Sequence, residues 1–257
     1  MNYHLEVSTI SRHNPPHKTA TRSVARAFSY ICGETVHDKY SGKTYRYHRT
    51  DLVGYEIYLP GYKLEGSGNL QRLCDEINKA EKRKDARTGR QFIGSLPNEL
   101  PPREWTRIVE EFIEENFTAK NLCAVAAIHR GKLSSKQLSN PHVHIIVSTR
   151  TVGPDRFNPK KDREHDKRSY IEIWRRSWAD VQNRAYERYG MKVRVSHLSY
   201  EVQGIDKESL IHLHISDWKK EMRGQRTDAG DRRRRIEMRN QEREQYRDRE
   251  NDLTRSR

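Results

Sequence analysis

The segment 140–150, Asn-Pro-His-Val-His-Ile-Ile-Val-Ser-Thr-Arg, constrains the fold of this chain more than any other. Its β-branched and apolar residues favour a strand. Side chains alternate between the two faces of a strand, so His142 and His144 point to one side and Val143 to the other. Asn-Pro is a turn or strand-start signal, which places the histidine pair near the open end of the strand.

A second strand-like segment, 122–129, ends in His129, and the polar residues 130–139 are typical of a hairpin connection. Pairing the two strands brings His129 beside His142 and His144, and three imidazoles at a sheet surface are a metal-ligand set. Imidazole generally favours zinc, iron, copper or nickel over magnesium, so ligand chemistry alone does not name the ion. Open coordination positions suit Lewis-acid polarisation of a phosphoryl group.

An isolated His-x-His pair is a weak motif, and the alternative is a structural role. The chain carries a second pair, His212 and His214, followed by Ile-Ser-Asp-Trp and without a comparable partner strand. We interpret this second pair as structural or surface-exposed.

The chain has 257 residues and a net charge of +14, so an anionic polymer is its natural partner. Membrane-surface and ribosome-associated proteins share such a balance. No run of about 18 apolar residues is present, so we expect no membrane insertion, and the N-terminus lacks the apolar core of a secretory signal. Three scattered cysteines argue against a disulfide framework and favour a reducing compartment, so we expect the cytoplasm. The chain has no Cys-x-x-Cys motif, so we expect no thiolate zinc site.

Local patterns predict a mixture of strands and helices, followed by a change of composition from about residue 217. The tail, 217–257, is highly charged and almost free of apolar residues, which predicts a solvated helix or a disordered tail. The predicted strands are 3–10, 53–59 and 90–96 with a hairpin at 37–48, and the predicted helices are 19–31, 69–87, 102–116 and 169–189.

Tyr30, near the end of the first predicted helix, is a candidate nucleophile for phosphoryl transfer. A free phenol has a pKa of about 10 and needs activation by a metal, a base or a nearby cation. Arg26 and Arg22 lie one and two helical turns before it. The alternative is simple packing, because the chain has 13 tyrosines.

The chain resembles the MobA/MobL (MobQ-class) relaxases, the DNA strand-transferases of mobilisable plasmids. The resemblance extends to about residue 214 in ordered blocks, including Ala-Glu-Lys-Arg-Lys-Asp-Ala at 80–86, Leu-Pro-Asn-Glu-Leu at 96–100 and Asn-Pro-His-Val-His at 140–144. Further matching blocks are 3–5, 11–12, 23–30, 33–34, 127–129, 174–188, 197–200 and 203–206.

The resemblance implies the HUH endonuclease fold, an α+β architecture with a central antiparallel sheet and flanking helices, over residues 1–216. His129, His142 and His144 match the family's metal triad, usually credited with binding magnesium or manganese. Tyr30 matches its catalytic tyrosine, which attacks a phosphodiester at the nic site of an origin of transfer. The products are a 5′-phosphotyrosyl link and a free 3′-hydroxyl, and reversal rejoins the strand.

One departure from the family concerns the strand before Leu-Pro, where relatives commonly carry carboxylates. Gln91 and Ile93 stand there instead. A proton acceptor or a partner for a metal-binding histidine must then come from elsewhere, and Glu34, Glu81 and Asp85 are the candidates.

The expected partner is single-stranded DNA from a plasmid origin of transfer, with accessory mobilisation proteins and a secretion-system coupling protein as further partners. The predicted DNA-binding cations are Arg22, Arg26, Arg150, Lys160 and Lys161. Two alternatives stay open, a rolling-circle replication initiator nuclease and a non-catalytic DNA-binding autoregulator with a degenerate site. The chain is too short to include a helicase or primase domain.

Overall fold

Six antiparallel strands form the central sheet in the computed structural model, which describes residues 3–12, 23–131, 140–211 and 213–255. The strands in chain order are β1 (Leu5–Ser11), β2 (Thr35–Asp38), β3 (Lys43–Arg46), β4 (Leu52–Leu59), β5 (Tyr62–Leu64), β6 (Arg87–Ser95), β7 (Leu122–His129) and β8 (His142–Thr151). The sheet order is β1-β6-β8-β7-β4-β5, and β2 and β3 form a separate hairpin. The fully buried strand β7 and the long strand β8 are therefore central.

Four helices cover the two faces of this sheet. They are α1 (Val24–Cys32), α2 (Ser67–Ala80), α3 (Pro102–Asn116) and α4 (Ser169–Arg188). On one face, the buried residues of α1 and α2 pack with Ile146 of β8. On the other face, Trp174 and Trp178 of α4 pack with residues of α3 and with Val147. The predicted α+β fold with a central antiparallel sheet and flanking helices is confirmed.

Helix α1 begins later than the sequence predicts. Ser23 is the N-cap residue, and its hydroxyl accepts a hydrogen bond from the Arg26 amide (3.4 Å). Residues 19–22, where the sequence predicts the start of this helix, lie outside the described residues. Gly33 ends the helix with φ of 72°, a left-handed conformation that glycine adopts without steric cost.

The prediction of one helix over 69–87 is wrong at its C-terminal end. Helix α2 stops at Ala80, and the Ala86 amide closes a turn on the Arg83 carbonyl. Arg87 then begins β6, where it pairs with Ser11 of the edge strand β1. The Glu-, Lys- and Arg-rich residues after Ala80 favour a helix by propensity, but pairing in the sheet overrides that weak preference.

The described chain divides into two units, Met1–His197 and Leu198–Arg257. This division in packing lies upstream of the boundary at 216/217 predicted from composition, and the functional boundary stays a prediction. The second unit contains α5 (Ile215–Glu221) and α6 (Asp228–Arg255). Between the two alternatives for the tail, α6 is a charged helix, with ion pairs such as Arg233–Glu237 at 3.1 Å.

The second histidine pair lies at the start of α5. His214 is the N-cap residue there, and its Nδ1 accepts from the Ser216 amide (3.4 Å), which is a structural role. His212 lies outside the described residues. None of the helices in the described part of the chain has the length and apolar character needed to cross a membrane.

Candidate active site

Strand register brings three histidines together at one end of the sheet. Strands β7 and β8 pair His129 with His142, and His144 lies opposite Ala127. The three ring centroids are 5.1–5.4 Å apart, and one nitrogen from each ring lies within 4.8 Å of the other two. This histidine cluster is the one predicted from the period-two pattern, and its occupation by a metal stays a prediction.

Hydrogen bonds and burial prepare the histidine cluster for a cation. His129 Nε2 and His142 Nδ1 each lie 2.8 Å from a backbone carbonyl oxygen, those of Ile31 and Asn140. Metal-binding histidines usually donate their second ring N–H in this way, which orients the ring. The buried His144 Nδ1 has no hydrogen-bond partner within the described residues. A buried nitrogen without a hydrogen-bond partner is a group that a bound metal ion would satisfy.

Burial also keeps the imidazoles of His129 and His144 neutral. Burial lowers the pKa of His144 to about 3, with help from the neighbouring His142 and His129. Burial and the Arg49 guanidinium lower the pKa of His129 to about 4. Neutral imidazole is the form that binds metals, so at pH 7 both rings are in that form. The donor set therefore fits a divalent transition-metal ion, and manganese, which accepts nitrogen and oxygen ligands, falls within that range.

Helix α1 brings Tyr30 to the histidine cluster. The side chain is 43% exposed, and its ring centroid lies 6.4 Å from that of His144. Tyr47 packs edge-on against it at 5.4 Å, and Arg26 Nε donates to the Tyr47 hydroxyl (3.0 Å). Because the next residue, Ile31, carries the carbonyl bonded to His129, the end of α1 is fixed to the cluster.

Arg49 and Asp51 belong to the site, although the sequence analysis missed both. Arg49 Nη2 lies 2.5 Å from His129 Nδ1, and its guanidinium carbon lies 4.8 Å from the Tyr30 ring centroid. Asp51 Oδ2 lies 3.7 Å from the same His129 nitrogen. Their position just before β4 could have identified them, because β4 pairs with β7 and Leu52 lies opposite His129 in that pairing.

The three candidate replacements for Gln91 and Ile93 lie in different places. Ile93 pairs with His144 in the sheet, so an apolar side chain does stand beside the cluster on β6. Glu34 accepts a hydrogen bond from the Tyr55 hydroxyl (3.2 Å). Glu81 and Asp85 line a separate cavity, away from the cluster. Asp51, on the other side of β7, supplies a carboxylate at the histidine cluster instead.

The separate cavity, of about 420 Å³, lies near the far end of β8 and is mostly basic. His144 and Arg150 are six residues apart, or roughly 20 Å along a strand. Arg150 and Lys161 both bind the Glu81 carboxylate, at 2.7 and 3.0 Å. If these two cations bind DNA phosphates as predicted, the phosphates must compete with the Glu81 carboxylate for them. Lys160 is exposed, and Arg22 lies outside the described residues.

Replacing Glu81 by Gln should lower the free energy of unfolding by roughly 3–5 kcal/mol at pH 7, because two cations lose their buried partner. Burial acts to raise the pKa of Glu81, but the hydrogen bonds from Arg150 and Lys161 outweigh it, so the pKa is lowered. A lowered pKa stabilises the fold above the unfolded-state value of about 4.3, and the effect is lost as pH falls through the folded-state pKa.

Denaturant unfolding of both proteins between pH 7 and pH 3 measures this effect. The difference between them should shrink at the acid end. Glu76→Gln is the matched control, since Glu76 is a half-exposed residue of the preceding helix α2 whose carboxylate pairs with Lys79 at 3.5 Å, and it should change stability by less than about 1 kcal/mol. Equal destabilisation by the two variants would contradict the prediction.

The chain is similar to known proteins of plasmid mobilisation. The model of the MobA/MobL family matches residues 22–223. A probable mobilization protein MobA of Bifidobacterium longum is 28% identical, over 82% of this chain and 42% of its own length. A 43 kDa relaxation protein of Salmonella typhimurium is 31% identical, over 47% of this chain and 38% of its own length. The chain thus spans less than half the length of these relatives.

A solved structure from work on vancomycin resistance transfer in Staphylococcus aureus has the same fold. It aligns with a TM-score of 0.65 and 24% identity, covering 77% of this chain and 99% of the other. The family match includes the histidine cluster, Arg49, Asp51 and the helix that carries Tyr30. This chain belongs to the MobA/MobL family.

Proposed function

We propose that this chain is a metal-dependent relaxase, which nicks one strand of plasmid DNA at the nic site of an origin of transfer. Tyr30 is the nucleophile, and the substrate is a single-stranded phosphodiester. One observation carries the proposal. An exposed phenol on α1 stands with its ring 6.4 Å from His144, beside three imidazoles whose nitrogens converge.

The reaction is a transesterification that uses neither water nor ATP. The Tyr30 oxygen forms a bond to phosphorus, the bond from phosphorus to the 3′ oxygen breaks, and the phenolic proton ends on that 3′ oxygen. The products are a 5′-phosphotyrosyl link and a free 3′-hydroxyl. Because the ester bond is kept in the adduct, the 3′-hydroxyl can attack it in reverse and rejoin the strand after transfer.

His129, His142 and His144 would hold the divalent ion, which we propose to be manganese or magnesium. A bound ion supplies Lewis-acid polarisation of the phosphate. We further propose residues 1–216 as the relaxase domain and 217–257 as an appended charged segment. Accessory mobilisation proteins and a coupling protein of a secretion system are the proposed protein partners, and the bacterial cytoplasm is the proposed location.

The deciding experiment incubates the purified chain with single-stranded oligonucleotides that tile the DNA flanking its coding sequence, with manganese or with EDTA. Mass spectrometry then identifies covalent adducts and the residue that carries them. We expect an adduct on Tyr30 with manganese and none with EDTA. The adducted oligonucleotide begins at its 5′ end with the nucleotide after nic.

Two results would contradict the proposal. An adduct on another tyrosine would remove Tyr30 from the role. Tight binding without any adduct, on every oligonucleotide in the presence of manganese, would favour the DNA-binding autoregulator, and binding of duplex promoter DNA would then be the expected activity.

A further inference from the structure

Arg49 contacts both the histidine cluster and the ring of Tyr30. Its guanidinium lies 2.5 Å from His129 Nδ1 and has the Tyr30 ring 4.8 Å from its central carbon. Asp51 fixes it from the other side, with Oδ1 at 3.1 Å from Nε and Oδ2 at 3.1 Å from Nη2. The side chain is only 16% exposed, so this position is well defined by packing.

The contact with His129 has a consequence for metal binding. His129 Nε2 lies 2.8 Å from the Ile31 carbonyl oxygen, which can only accept a hydrogen, so the ring proton is assigned to Nε2. Nδ1 then carries the lone pair, and Arg49 donates to it. A metal ion bound through Nδ1 needs the same lone pair. Arg49 and the ion therefore compete for His129.

When the ion displaces Arg49 from His129, the guanidinium can keep its contact with Asp51 and can also bind a phosphate oxygen of the substrate. Guanidinium binds phosphate oxygens through two parallel hydrogen bonds, and it does so better than the point charge of lysine. The scissile phosphorus must come within roughly 3–3.5 Å of the attacking Tyr30 oxygen. Since Arg49 already packs against the Tyr30 ring, the phosphate oxygens arrive within its reach.

We infer that Arg49 is a catalytic residue that binds the non-bridging oxygens of the scissile phosphate, and that it leaves His129 when the ion binds. This inference rests on the proposed relaxase function. Arg49 keeps its charge and its protons throughout the transfer to Tyr30. It stabilises the negative charge that builds on the phosphate oxygens in the transition state. Asp51 is a positioning residue that keeps the guanidinium at the site.

The first test measures metal binding alone, by calorimetric titration of DNA-free protein with manganese. Removal of a competing donor should tighten manganese binding to Arg49→Ala severalfold relative to wild type. Arg46→Ala is the matched control, because Arg46 is an exposed residue of β3 whose Nε donates only to Thr35, and its affinity should not change. Unchanged or weaker binding to Arg49→Ala would overturn the competition for His129.

The second test measures cleavage of two oligonucleotides, one natural and one with a neutral methylphosphonate at the scissile position. On the natural substrate, Arg49→Ala should react about 10²–10³-fold more slowly than wild type, with binding of the oligonucleotide changed much less. On the neutral substrate the two proteins should differ by less than about tenfold, because the charge that Arg49 recognises is gone. Equal losses on both substrates would overturn the phosphate contact.

Arg49→Lys distinguishes the loss of the guanidinium from a folding defect in the alanine variant. Lysine keeps the charge but not the two parallel donors, so the rate on the natural substrate should fall between those of wild type and Arg49→Ala. A wild-type rate for Arg49→Lys and Arg49→Ala alike would rule out the role. If wild type itself forms no adduct, the relaxase function fails, and the manganese titration still decides whether Arg49 competes for His129.

Discussion

Tyr30→Phe should form no covalent adduct with an origin-of-transfer oligonucleotide, a loss of at least about 10⁴-fold, comparable to removing a catalytic nucleophile elsewhere. The change deletes one hydroxyl and keeps the ring that packs edge-on against Tyr47. Oligonucleotide affinity should therefore stay within about threefold of wild type. Adduct formation is followed by gel mobility and mass spectrometry, and affinity by fluorescence anisotropy under the same salt conditions.

The matched control for this prediction is Tyr62→Phe. Tyr62 is also an exposed tyrosine, 58% accessible, but it lies on the edge strand β5 rather than at the histidine cluster. It should give the wild-type adduct yield. A wild-type yield from Tyr30→Phe would assign the nucleophile to another residue, whereas loss of both adduct and binding would point to damage of the DNA-binding surface.

His142→Ala and His144→Ala should each weaken manganese binding by at least about 10²-fold, because loss of a direct ligand exceeds the 10–100-fold typical of its supporting partners. Both side chains lie on one face of β8, and both face His129. Calorimetric titration of each variant with manganese measures the change in affinity directly. The folded state should survive, since the substituted rings lie at the end of the sheet.

His214→Ala is the control for the histidine variants. His214 caps α5, in the second unit of the chain, and it makes its contact with Ser216. Its replacement should leave the manganese affinity unchanged. Metal binding that persists at full strength in the His142 and His144 variants would show that the ion is held elsewhere.

Local sequence pattern was sufficient to predict the histidine cluster. The alternation of His142, Val143 and His144 specifies the face, and the short separation from His129 in sequence makes hairpin pairing the simplest connection. For Tyr30 the local pattern predicted only a position near the end of a helix, and its assignment as nucleophile came from the family resemblance. The contact between the end of this helix and His129 joins residues 98 positions apart in the sequence.

Arg49 and Asp51 depend on a contact that local pattern does not contain. Both residues come just before β4, which pairs with β7, and more than sixty residues of chain lie between these two strands. The DNA-binding role of the cations at the far end of β8 stays a prediction, because the fold uses the same charges in ion pairs. Charge alone does not distinguish a free Arg150 or Lys161 from one that is bound to a buried carboxylate such as Glu81.

The hydrogen bond between the Ile31 carbonyl and His129 bears on the lifetime of the covalent adduct in the proposed reaction. It attaches the residue next to Tyr30 to His129, so the proposed nucleophile is fixed to the sheet that carries the proposed metal ligands. A 5′ end of DNA joined to Tyr30 would therefore stay beside the histidines until a 3′-hydroxyl arrives. The lifetime of the adduct would then be limited by hydrolysis of the phosphotyrosyl ester and not by movement of the tyrosine away from the site.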